Sequence, residues 1–134
     1  MVQMYNPNVV GKQVIIDVKN IESDRLKTIA NIQPLMDKVV EEFKLNVVAK
    51  SEFQFEKDNV PYGCTIMYLL SESHLFVHTF VDEGKITLDL FTCFLGAEFD
   101  KLKNIIKDYF NVNVLCIDSY STQNCHDCHD IRCC

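Results

Sequence analysis

The sequence predicts a small α/β protein of the α+β type: a two-layer sandwich in which a mainly antiparallel sheet packs against two helices. Short apolar or β-branched segments have the character of strands, and two longer segments repeat apolar residues every three to four positions. Most of the strand-like segments follow one another through short turns. Strands joined in this way pair antiparallel, so the helices are expected to cover one face of the sheet.

The elements are expected in the order β-α-β-β-β-β-α-β. Strands are predicted at residues 13–18, 45–56, 64–70, 75–80, 86–93 and 112–117, and helices at residues 23–43 and 97–109. Ser23 or Asp24 can cap the first helix, and Pro34 inside its pattern predicts a kink or a fresh start. Turns are predicted at residues 57–59 and 82–85, and the second of these closes a β-hairpin.

Length and charge limit the possible functions. A chain of 134 residues normally builds one core, and we expect one domain at residues 1–118 followed by a Cys/His-rich tail at residues 119–134. A formal net charge of -6 with scattered lysines disfavours nucleic acid as a partner. No apolar run approaches the roughly 20 residues that span a bilayer, and the start lacks a signal-peptide pattern. The sequence therefore predicts a cytoplasmic protein that does not bind membranes.

The cysteines fall into two groups. Those of the tail, with neighbouring histidines, can ligate Zn²⁺; they are Cys125, Cys128, Cys133 and Cys134. We favour a flexible, redox-sensitive or adventitious metal-binding tail over a structural zinc site, because no packed element follows it. The remaining cysteines, Cys64, Cys93 and Cys116, lie among apolar residues, and their odd number fits a disulfide framework poorly.

Side chains capable of catalysis are concentrated between residues 71 and 93. Hydroxyl and imidazole groups occur at Ser73, His74 and His78, and a thiol occurs at Cys93, near the end of the next strand. Because alternate residues of a strand share a face, His74 and His78 are expected on one face, and the hairpin register decides whether Cys93 joins them. Taken singly, such a histidine or buried cysteine is more often structural than catalytic.

Three motifs in this region point to a family. They are Pro61-Tyr62-Gly63, then Leu70-Ser71-Glu72-Ser73-His74-Leu75 with His78-Thr79, and finally Asp89-Leu90-Phe91-Thr92-Cys93. Together they strongly resemble the short prokaryotic-type S-adenosylmethionine decarboxylases, which are pyruvoyl enzymes. The resemblance extends from Gly11 to about residue 118 and does not include the tail.

The resemblance implies a self-processing enzyme. Ser73 Oγ would attack the carbonyl of Glu72, and the chain would be cut between these residues, leaving a covalent pyruvoyl group at position 73. A small amine-bearing substrate would form a Schiff base with this group, which then accepts electrons during decarboxylation. His78 matches the family histidine that handles protons during processing, and Cys93 matches the proton donor after decarboxylation.

Two supporting residues and the assembly are implied in the same way. Thr65 stands where the family often has a serine that assists processing, and Asp17 stands where it has a glutamate near the active site. Each can equally be an ordinary strand residue. The resemblance also implies S-adenosylmethionine as the substrate, a role in spermidine synthesis, and a homo-oligomer, either a dimer or a dimer of dimers of cleaved chains.

The substrate-binding positions match the family less well than the catalytic ones. Phe55 is the aromatic residue nearest to the position at which the family stacks an aromatic ring on adenine. Asp58, Asp82 and Glu83 can instead pair with the distal cation of ornithine or arginine. A pyruvoyl-dependent ornithine or arginine decarboxylase is therefore an alternative. A non-enzymatic regulatory paralogue is a third interpretation, which the preserved catalytic residues disfavour.

Overall fold

A computed structural model describes residues 9–71, 73–92, 99–113 and 115–123, with side chains for residues 11–71, 73–92 and 100–113. A short 3-10 helix occupies Ser23–Leu26. The other elements of the described residues are β1 (Val9–Val18), α1 (Ile29–Glu42), β2 (Val47–Lys57), β3 (Val60–Leu70), β4 (Ser73–Phe80), β5 (Lys85–Thr92), α2 (Phe99–Phe110) and β6 (Leu115–Gln123).

These strands form one six-stranded sheet in the spatial order β2-β3-β4-β5-β1-β6. Every pair of neighbouring strands is antiparallel. The predicted element order and the predicted α+β sandwich are therefore confirmed. Short connections explain why β2, β3, β4 and β5 lie side by side in chain order. β1 lies between β5 and β6, to which longer connections lead.

The helices cover one face of the sheet. Burial alternates along β4 and β5, as expected for strands that pack on one side only. The buried side chains of the strands and helices form one core, which includes Val14, Ile16, Ile66, Leu75, Val77, Ile86 and Leu88 together with Ile32, Leu35, Met36, Leu102 and Ile106.

The opposite face, here called the open face, carries the other alternate residues of the same strands. Its side chains are half-buried and include the ionisable groups of the central strands. Its members on those strands include Gln13, Ile15, Asp17, Thr65, Met67, His74, Phe76, His78, Lys85, Thr87, Asp89 and Phe91. Because this face bears the histidines and carboxylates of the motifs, the candidate site lies on it.

The first helix begins later than predicted. Its N-cap is Thr28, whose Oγ1 accepts a hydrogen bond from the Asn31 N–H at 3.2 Å. Ser23 lies in the 3-10 helix, and Asp24 pairs with Lys27 at 2.7 Å, so neither residue caps α1. The apolar spacing runs through both helical segments and therefore could not separate them. The helix continues through Pro34 without a fresh start.

β1 and β6 are among the strands that extend beyond their predicted ends. β1 begins at Val9, and β6 continues to Gln123, where the two strands still pair. The sheet therefore continues past residue 118, the predicted domain boundary. The tail cysteines Cys125, Cys128, Cys133 and Cys134 lie outside the described residues.

The side-chain amide of Gln54 connects the edge strand β2 to two other segments. Its Nε2 donates to the carbonyl oxygens of Lys27 at 2.7 Å and Gly63 at 2.8 Å, and its Oε1 accepts from the Ile29 N–H at 3.0 Å. We expect Gln54→Leu to lower the free energy of unfolding by about 2 kcal/mol, because partly buried backbone groups lose their partners. Urea unfolding measures this change. Glu56→Leu on the same strand is the control, expected to change stability by less than about 0.5 kcal/mol; equal losses would contradict the prediction.

Candidate active site

A line of polar side chains crosses the open face over four neighbouring strands. In the strand register, Thr65 lies opposite His78, His78 opposite Thr87, and Thr87 opposite Asp17. Thr65 Oγ1 lies 3.0 Å from His78 Nδ1, and Thr87 Oγ1 donates to Asp17 Oδ1 at 2.6 Å. We call these four residues, Thr65, His78, Thr87 and Asp17, the polar row. The structure thus brings the predicted site residues Thr65, His78 and Asp17 into one line.

Charge at one end of the polar row comes from an ion pair. Lys85 Nζ lies 3.9 Å from Asp17 Oδ2, while Thr87 holds the other carboxylate oxygen. The Lys85 ammonium also lies over the ring of Phe80, 4.9 Å from its centroid. Asp17 is therefore held in place from two sides while its side chain remains 35% exposed.

A second polar cluster lies on the open face nearer to the start of β4. Gln13 Nε2 donates to both oxygens of Asp89, at 3.0 and 3.1 Å, and His74 Nε2 lies 3.3 Å from Asp89 Oδ1. The His74 ring stacks on Phe76 with centroids 4.4 Å apart. His74 and His78 do share a face, as predicted, but each belongs to a different cluster.

Ser73 lies at the other end of β4 from His78. It is the first residue of the strand and pairs with Leu70 across the β3–β4 connection. Five residues of extended strand separate Ser73 from His78, which corresponds to about 16 Å, and strand alternation directs the two side chains to opposite faces. One chain therefore does not bring these two predicted catalytic residues together. Glu72 and Cys93 lie outside the described residues.

The predicted substrate contacts lie at the His78 end of the sheet. Asp58 occupies the tight turn between β2 and β3, with a φ of 54°, and Asp82 and Glu83 are exposed in the turn between β4 and β5. The Tyr62 hydroxyl donates to Asp82 Oδ1 at 2.5 Å, and this hydrogen bond raises the pKa of Tyr62. These carboxylates are thus grouped at the end of the sheet opposite to the end at which Ser73 lies.

An aromatic residue beside the polar row was missed in the sequence. Phe53 lies directly opposite Thr65 in the register, and its ring contacts Phe55 edge to face, with centroids 4.9 Å apart. Phe53, Ser51, Glu52, Thr65 and Met67 line a shallow cavity of about 150 Å³. Alternation in the sequence showed that Phe53 and Phe55 share a face, but only the β2–β3 register shows that Phe53 adjoins Thr65.

Cys64 does not contribute to the site. It is a free, fully buried thiol, and burial raises its pKa to about 11. Such a thiol stays protonated and behaves as a small apolar side chain, as the sequence predicted. Among the residues whose side chains are described, no group of three or more His, Cys, Asp or Glu side chains could hold a metal ion.

The profile of the family described as S-adenosylmethionine decarboxylase matches residues 12–122. The chain belongs to the S-adenosylmethionine decarboxylase family. The predicted resemblance is thereby confirmed. Members of this family are self-cleaving carboxy-lyases that carry a serine-derived pyruvoyl group.

Individual relatives agree with this assignment. The S-adenosylmethionine decarboxylase proenzyme of Aquifex aeolicus is 29% identical over 83 residues, which cover 62% of this chain and 58% of that protein. S-adenosylmethionine decarboxylase proenzyme 2 of Bacillus cereus is 31% identical over 103 residues, covering 72% of this chain and 79% of that protein. The chain thus spans about three fifths of the length of the Aquifex aeolicus relative.

A solved structure shows the same fold. The crystal structure of the adenosylmethionine decarboxylase from Aquifex aeolicus matches with a TM-score of 0.75 and 20% sequence identity, over 92% of this chain and 98% of that one. No helix in the described part of this chain is long and apolar enough to cross a membrane.

Proposed function

We propose that this chain is a self-cleaving, pyruvoyl-dependent S-adenosylmethionine decarboxylase that supplies spermidine synthesis. The main support is the polar row, in which the His78 imidazole is hydrogen-bonded to Thr65 on a sheet whose fourth strand begins at Ser73. An imidazole oriented by a hydroxyl group is suited to proton transfer. The decarboxylase motifs therefore coincide with an arrangement that fits acid-base chemistry.

The location of the Glu72-Ser73 bond is compatible with cleavage. It lies in the short connection between β3 and β4, and each of these strands also pairs with an outer neighbour, β2 or β5. A cut at this position would therefore leave both strands held in the sheet. Ser73 is half-buried, so its hydroxyl and any group formed from it remain within reach of a substrate.

The start of β4 and the residues of the open face suit the proposed reaction. A pyruvoyl group at position 73 supplies a ketone that captures an amine and a neighbouring carbonyl that withdraws electrons as carbon dioxide leaves. Thr65 Oγ1 engages His78 Nδ1, which leaves Nε2 as the ring nitrogen available for proton transfer. Asp17 places a carboxylate in the same row, where it attracts the positive sulfonium of S-adenosylmethionine. Cys93 is assigned the return of a proton to the substrate carbon.

We further propose that the active site forms between two copies of the chain. Ser73 and His78 lie about 16 Å apart along one strand, so a single copy does not bring them together. A two-fold axis that passes over the open face at Phe76, midway between them along β4, would bring the Ser73 end of β4 in each copy over the His78 end of β4 in the other. The half-buried apolar residues Ile15, Met67 and Phe76 on the open face are suited to such a contact.

The substrate is tested by carbon dioxide release from S-adenosylmethionine, ornithine and arginine, measured side by side with the same purified protein. We expect release from S-adenosylmethionine alone. The exposed carboxylates of Asp58, Asp82 and Glu83 favour a cationic amino acid as the second candidate substrate. Release from ornithine or arginine without release from S-adenosylmethionine would overturn the first choice. We place the enzyme in the cytoplasm, where a thiol such as Cys64 stays reduced.

A further inference from the structure

Thr87 is the residue of the polar row to which the family resemblance assigns no role. His78 and Asp17 lie on strands separated by β5, so their Cα atoms are two strand spacings apart, or about 10 Å. An aspartate side chain does not cross that distance. Thr87 pairs directly with both residues in the register and therefore occupies the position between them.

The hydrogen bond that Thr87 donates points toward Asp17 and not toward His78. A hydroxyl has a single proton, and Thr87 donates it to Asp17 Oδ1 at 2.6 Å. Its lone pairs remain available on the oxygen, and its cross-strand neighbour on the other side is His78, with Cβ atoms about 5 Å apart. A β-branched side chain has few χ1 rotamers, so this bond also fixes the hydroxyl itself.

We propose that Thr87 is a positioning residue, which holds the Asp17 carboxylate in line with His78 and so links a fixed negative charge to the imidazole. The inference deepens the proposed function and rests on it for its catalytic consequence. His78 has Thr65 of β3 on one side and Thr87 of β5 on the other. Asp17 lies beyond Thr87, on β1. Lys85 balances the second oxygen of Asp17 at 3.9 Å.

The test uses Thr87→Val, which replaces the hydroxyl with a methyl group of similar shape and keeps the β-branched side chain. We expect kcat/KM for S-adenosylmethionine to fall at least about tenfold while the Tm stays within about 2 °C of wild type. Thr87→Ser restores the hydroxyl and should recover most of the activity. A Thr87→Val enzyme with wild-type kcat/KM overturns the inference, and so does a serine variant that fails to recover.

A double-mutant cycle shows whether Thr87 acts through Asp17. In an Asp17→Asn background, adding Thr87→Val should change kcat/KM by less than about twofold, because the carboxylate that Thr87 holds is already absent. Multiplied losses in the double variant would show an independent role and overturn the inference.

A spectroscopic measurement separates this inference from the proposed function. The ring nitrogen chemical shifts of His78, recorded by NMR at one pH, should change in Thr87→Val and not in Thr87→Ser, while those of His74 stay constant. Wild-type protein that releases no carbon dioxide from S-adenosylmethionine would refute the proposed function alone. Unchanged His78 shifts in Thr87→Val would refute the link between Thr87 and the imidazole, whatever the substrate.

Discussion

Ser73→Ala is expected to remain a single uncut chain of 134 residues and to lose decarboxylase activity by at least about a thousandfold. The hydroxyl oxygen of Ser73 is the atom that would replace the amide nitrogen on the Glu72 carbonyl, and alanine has no such atom. Without cleavage no pyruvoyl group forms, so both the processing and the reaction are lost together. Intact mass after purification reports the cleavage, and carbon dioxide release reports the activity.

Ser71→Ala is the matched control for this variant. Ser71 lies in the same β3–β4 connection and is exposed, and its side chain is not required by the proposed reaction. This control should be cut and remain active. Cleavage of Ser73→Ala at the same bond would show that another group serves as the nucleophile, and equal loss of cleavage in both variants would indicate damage to the connection.

Co-expressed Ser73→Ala and His78→Ala chains are expected to recover about a quarter of wild-type activity, although each variant alone is inactive. If Ser73 of one copy works with His78 of the other, a mixed dimer contains one intact site and one doubly altered site. Random assembly makes half of the dimers mixed, and half of the sites in these mixed dimers are intact. Intact sites therefore make up about a quarter of all sites. The reason lies in the separation of about 16 Å between the two residues along β4.

The recovery is measured on the whole purified mixture, and dimers selected through two different affinity tags, one on each variant, should reach about half of wild-type activity. Co-expression is required because processing must occur in the assembled protein. A pair of His78→Ala and Thr65→Ala chains is the control, since both changes fall in the same half of the site and should restore no more than the single variants. Zero recovery in the first mixture would refute a shared active site.

Several features were predictable from the sequence because they depend on local patterns. Alternation of apolar residues located β4 and β5, and the turns, at residues 58–59 and 81–84, lie within one residue of their predicted positions. The location of His74 and His78 on the same face follows from the period of a strand alone. The start of α1 at Ile29 was not predictable, because the apolar spacing continues through the preceding 3-10 helix.

The sequence by itself determined the fold class, the family motifs and the identity of Ser73 and His78 as a possible catalytic pair. Only the tertiary structure decided which side chains meet. Strand register depends on pairing between distant segments, such as β1 with β5, so the contact of Thr87 with Asp17 and the position of Phe53 beside Thr65 could not be inferred from local pattern. The structure also begins β4 at Ser73, before its predicted start, and this shows that Ser73 and His78 lie apart along one strand.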